Sequence, residues 1–278
     1  MLQKDFKTYN QTNSGLTLIE VLVTLVIAVV LGATVMRFYK DSYRSYSLQE
    51  QITDRNQNAH YVLTKMVEVF QQMGASLPDS GWGSLSVSGG PLSSGGILSV
   101  GSNPKNGLQT ISVATASSIT MNVNPIYPFN VSKNDMLTPG FVLITRAAAG
   151  VKADTVTIIG RDTTGGGLGG TLTLARNVAL NPGDRVYAYR IDQYLLVNNN
   201  FVIRQNCDPA NQIILAENID SIGFTFRQRN GTPDTTWGNM RSVSLTVRAR
   251  TEKKDPNFPG DGYRKISLPM NVLFKNKV

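Results

Sequence analysis

The chain has 278 residues, 41% of them apolar and 17% charged, with a formal net charge of +8. That balance excludes disorder throughout and leaves room for one globular unit of ordinary size. The single cysteine, Cys207, excludes an intrachain disulfide; with one histidine, His60, and no Gly-x-Ser-x-Gly, it supports neither a histidine-based triad nor a Cys/His metal site.

Residues 1–15 are polar and carry Lys4 and Lys7 against Asp5. Positive charge ahead of an apolar span holds that end in the cytoplasm and sends the rest of the chain across the membrane. The span follows at 16–36, and its one charged side chain is Glu20. At ~1.5 Å per residue it makes a helix of ~31 Å, about the thickness of a hydrocarbon core. A carboxylate in such a segment is costly and calls for a partner. A secretory signal peptide places its apolar region before the cleavage site, whereas here Gly15 precedes it. A plain anchor leaves the Gly15-to-Glu20 spacing unexplained.

Nothing breaks the helical pattern after Met36 until Gly74 and Pro78. Leu48, Ile52, Ala59, Leu63, Met66, Phe70 and Met73 repeat mostly at three and four, which predicts one apolar stripe on a helix continuing to about Met73. Gly74 is placed to cap that helix and Pro78 to stop it. His60 falls at the edge of the stripe.

Beyond Pro78, short runs rich in Val, Ile, Thr and aromatics alternate with turn residues. Strands are predicted at 96–100, 110–114, 118–122, 141–145, 155–159, 171–175, 186–191, 193–197, 201–205, 222–228, 243–250 and 266–274. The fold class is therefore α+β, a long N-terminal helix packed on a mostly antiparallel β head. Its divisions are a leader at 1–15, a membrane or fibre-core helix at 16–36, an amphipathic continuation at 37–77 and a head at 78–278.

Glycine clusters at 89–96 and 165–170 lack the Lys-Ser/Thr or helix start that a phosphate loop needs, and read as loops. Asp255, Asn257 and Asp261 collect oxygen ligands near a turn, but without the spacing of an EF-hand. They make a weak calcium candidate beside the simpler reading of a hairpin turn. No cofactor is expected. From Arg241 onward nine Lys and Arg face Glu252, Asp255 and Asp261. With only Phe258, Tyr263 and Phe274 for stacking, a solvated strand face explains this better than a nucleic-acid surface.

Gly15-Leu16-Thr17-Leu18-Ile19-Glu20 and the apolar run after it resemble the signal of type IV prepilins and related pseudopilins. The resemblance implies a structural subunit and not an enzyme. A prepilin peptidase would cut between Gly15 and Leu16 and N-methylate Leu16. Glu20 would pair with the Leu16 amine of a neighbouring subunit. The family's frequent first residue is Phe, here Leu16, and the helix-bending Pro of many major pilins is here Arg37. In the head, Tyr189 to Leu196, Phe201 to Arg204, Leu215 to Ile219, Trp237 and Leu273 to Asn276 resemble PilW-type minor pilins and J-type pseudopilins. That resemblance implies a minor pilin priming assembly with other minor pilins and the major pilin, its head periplasmic and its anchor in the bacterial inner membrane. The alternatives are a J-type pseudopilin of a type II secretion system and a membrane-anchored DNA-binding module.

Overall fold

The computed structural model describes residues 17–73, 85–88, 92, 96–103, 108–112, 114–124, 129, 139–148, 153–162, 169–234 and 239–274. One helix, α1 (Leu18–Gln72), opens the described chain. The chain divides into two compact units after Glu50. Gly74, Pro78 and Trp237 lie outside the described residues.

In the first unit every side chain of α1 from Leu18 to Tyr46 is exposed. In the second unit α1 buries Ala59, Val62, Met66, Val69 and Phe70, followed by Met73 just past its end. Leu48, Ile52 and Leu63, expected on the same stripe, are half-buried. The buried arc takes in Val62 and Val69 because the helix packs on two surfaces at once. One core cluster joins it to Tyr194, Phe201 and Ile203 on one side and to Ile222, Phe226 and Val243 on the other. His60 is exposed.

The larger sheet has ten strands: β1 (Leu85–Ser88), β2 (Ile97–Ser102), β3 (Leu108–Thr110), β4 (Thr115–Val123), β5 (Phe141–Thr145), β6 (Asp154–Asp162), β7 (Gly170–Leu180), β8 (Arg185–Val197), β9 (Asn200–Arg204) and β10 (Gln212–Ala216). The smaller sheet runs in the order β11 (Ile219–Arg227), β12 (Ser242–Arg250), β13 (Lys265–Leu273). Among the described residues every strand pairing is antiparallel. The α+β class expected from sequence is the fold observed.

Several strands depart from their predicted bounds. The segments at 186–191 and 193–197 are one strand, β8, because the Asp192 that seemed to separate them is held by Arg190 within it. The length of β8 lets four strands share it: β3 and β5 pair with its first half, β2 and β9 with its second. Among the described residues of the run at 110–114 only Thr110 belongs to a strand, the end of β3, and 171–175 extends to Leu180. β1 and β10 are additional strands. β10 was hidden because its apolar residues fill only a five-residue edge strand between Asn211 and the turn at Asn218. β8 and β9 form a hairpin through Asn198 and Asn199, both at positive φ (51° and 61°), as a two-residue primed turn requires.

A second core, built mainly on β4 to β8 with no residue of α1, holds Val142, Ile144, Val156, Leu172 and Val186. On another face of β8 the buried Tyr187 and Tyr189 pack with Leu143. Tyr189 lies so close over Gly101 of β2 that a Cβ there would come within 2.7 Å of its ring. Gly101→Ala is expected to lower unfolding stability by about 1–3 kcal/mol through overpacking, read by urea denaturation of the chain in detergent.

Candidate functional site

The N-terminal end of α1 is built from its own side chains. Thr17 is the N-cap: its Oγ1 accepts from Glu20 N (3.4 Å), and Glu20 Oε2 accepts from Thr17 N (2.9 Å) and Thr17 Oγ1 (3.0 Å). This reciprocal pair is a capping box, and it satisfies two amides that a helix start otherwise leaves open. Thr-x-x-Glu ahead of an apolar run is the sequence signal of such a box, and it overlaps the Gly15-to-Glu20 spacing. Gly15 and Leu16 lie outside the described residues.

The two other polar side chains between Leu18 and Met36 are also satisfied locally. Thr24 Oγ1 donates to Glu20 O (2.8 Å) and Val21 O (2.9 Å), and Thr34 Oγ1 to Val30 O (2.8 Å). A segment meant for an apolar medium needs this internal bonding, since lipid offers no acceptors. The segment is long and apolar enough to cross a membrane, and none of its most apolar window is buried in the chain. It is followed by exposed Phe38, Tyr39, Tyr43 and Tyr46 among Arg37, Lys40 and Arg44, the amphipathic residues that favour a membrane–water boundary.

The two carboxylates of the calcium candidate are engaged within the chain. Asp255 Oδ2 accepts from Arg264 Nη2 (2.9 Å) and Nε (3.2 Å), and its Oδ1 from Asn257 N (3.1 Å). Asp261 pairs with Lys265 (2.7 Å) and accepts from Tyr263 N (3.2 Å). These contacts close a turn whose Gly260 and Gly262 have positive φ. Among the described residues no group of three or more His, Cys, Asp or Glu is placed to hold a metal ion. The Lys265 ammonium and the Tyr263 amide hold the Asp261 carboxyl below its ordinary range.

Late basic residues are also used within the chain. Arg250 lies 4.4 Å over the Tyr263 ring and, with Lys265, faces Asp220. Arg264 adds a cation over Phe258 to its pair with Asp255. Cys207 is half-buried, with its Sγ 3.8 Å from Ile191 O. Burial, followed by the nearby Asp192 carboxylate, pushes its thiol pKa up and away from the reactive thiolate.

A family model described as the prokaryotic N-terminal methylation motif matches residues 10–36. No curated protein and no solved structure matches the chain. The motif indicates a pilin-like subunit of the type IV pilin and pseudopilin kind, processed by prepilin peptidase and assembled with other pilins. With the apolar start of α1, it fits anchoring in a membrane.

Proposed function

We propose that this chain is a minor type IV pilin that helps prime fibre assembly in a tip complex with other minor pilins and the major pilin. One observation carries the reading: a methylation-type motif at 10–36 runs into a helix whose apolar window is wholly uncovered by its own chain. Such a surface needs lipid before assembly and neighbouring helices after it. The leader is residues 1–15, cut between Gly15 and Leu16, and Leu16 is the N-methylated first residue. The helix at 16–36 anchors the precursor in the inner membrane and then enters the fibre core. Residues 37–77 follow it as the stretch leading to the head, and the head at 78–278 lies in the periplasm. In the dry fibre core Glu20 pairs with the Leu16 amine of a neighbour. Oε2 of Glu20 takes both bonds from Thr17, which leaves Oε1 to accept that amine. PilW-type pilins are the proposed sub-family, on the head motifs around Tyr189 to Leu196.

Intact mass and N-terminal sequence of the protein in sheared surface fibres test this. The expected chain starts at methylated Leu16 and is found in the sheared fraction. An uncut chain confined to membranes overturns the proposal.

A further inference from the structure

The second unit holds a groove of about 360 Å³ between α1 and one face of the larger sheet. Tyr61, Lys65 and Val69 line its helical side, and Val100, Ile203 and Ile213 its strand side. The strand residues share one face, since Tyr194 lies opposite Ile203, Ile203 opposite Ile213, and Asp192 opposite Val100. Two polar side chains of β8 open onto this groove although nearly all of each is buried: Arg190 is 6% exposed and Tyr194 5%.

Both are donors without a full set of acceptors. Arg190 Nε donates to both Asp192 oxygens, at 2.8 and 2.7 Å. Neither terminal nitrogen of Arg190, nor the Tyr194 hydroxyl, has a hydrogen-bond partner among the described residues. These donor atoms open onto the groove; among the described residues the one buried side-chain nitrogen or oxygen without a partner is Arg250 Nε. An apolar trench with open donors suits a ligand that brings acceptors on an apolar body.

Charge decides which acceptor. Arg190 is matched by Asp192, and Lys65 by Glu68 at 3.2 Å, so the four charges balance. A carboxylate entering here would meet two others. The Tyr194 hydroxyl senses the same field: burial first, then Asp192 and Glu68, raise its pKa against the opposing pull of Arg190. The fitting acceptor is therefore neutral, an amide carbonyl. Arg190 and Tyr194 stand four residues apart on one strand face, ~13 Å at ~3.3 Å per residue, which an extended peptide of about four residues spans.

We infer that this groove binds an extended, uncharged, apolar segment of a partner pilin subunit, its main-chain carbonyls accepting from Arg190 and Tyr194. The inference rests on the assembly reading above, which supplies the partner, while the binding chemistry is tested apart from it.

The test uses the full chain in detergent micelles and a blocked Val-Ala-Val-Ala tetrapeptide, with forms carrying Glu or Lys in place of one Ala, followed by saturation-transfer NMR. The neutral peptide is expected to bind saturably and more tightly than either charged form. Tyr194→Phe, and separately the paired change Arg190→Gln with Asp192→Asn, should each weaken it at least fivefold. Tyr194→Phe removes only an unpaired hydroxyl, so its Tm should be unchanged or higher, which a merely structural tyrosine would not give. No saturable binding, tighter binding of the Glu peptide, or variants that bind like wild type would each overturn the inference. A Glu20→Ala chain should bind the peptide normally. Loss of peptide binding by wild type, with mature chain still present in fibres, would sink the groove and leave the assembly reading standing.

Discussion

Chains carrying Glu20→Ala are expected to reach the membrane with folded heads and to enter fibres at less than about a hundredth of the wild-type level. Removing one partner of a buried ion pair costs about 3–5 kcal/mol, because the amine left behind stays buried and unpaired. Loss of the capping box alone costs less, about 0.5–2 kcal/mol, and acts on the free chain as well as on the fibre. Glu20→Gln separates the two. A glutamine amide oxygen can accept from Thr17 N and Oγ1 as the carboxylate does, so the helix start survives while the charge does not. If Glu20 pairs with a neighbour's amine, Gln assembles as poorly as Ala. Normal amounts of the Gln chain in sheared fibres, by quantitative immunoblot, would reduce Glu20 to a cap.

The second large effect lies at Phe70. This fully buried ring sits 5.9–6.4 Å from those of Phe224, Phe226 and Phe274, tying α1 to β11 and to the residue after β13. Phe70→Ala is expected to remove about 3–5 kcal/mol from unfolding stability, the sum of lost burial and the cavity left behind. Contacts with three rings, two of them edge-on, place it toward the upper end. Urea unfolding of the full chain in detergent reads the effect. A loss below about 1 kcal/mol would mean that residues 59–73 do not belong to the cooperative core of the head.

How much of this was legible in the sequence follows the range of each interaction. Glu20 and the helix around it could be read because the apolar span and its one charge are adjacent in the chain. Ala59, Met66, Phe70 and Met73 could be read from spacing, since one helix face is a local pattern. Val62 and Val69 could not, because their burial depends on a second packing surface contributed by β8 and β9, more than a hundred residues later. Asp192 misled for a related reason. A charge inside an apolar run reads as a break, and only the fold shows Arg190 covering it. The groove above Tyr194 is less visible still, since it joins α1 to four strands, of which β2 and β8 are neighbours in space although five strands lie between them in sequence.

The capping box has a consequence for the timing of maturation. The atoms that begin α1 belong to Thr17 and Glu20, and both lie beyond the proposed cut. Taking away residues 1–15 therefore leaves both residues of the capping box in the chain. On the proposed cut, the hydrogen bonds of the capping box belong to precursor and product alike. Folding and permission to polymerise become separate events. On the proposed reading, subunits folded at the start of α1 can wait in the membrane until the peptide bond before Leu16 is cut.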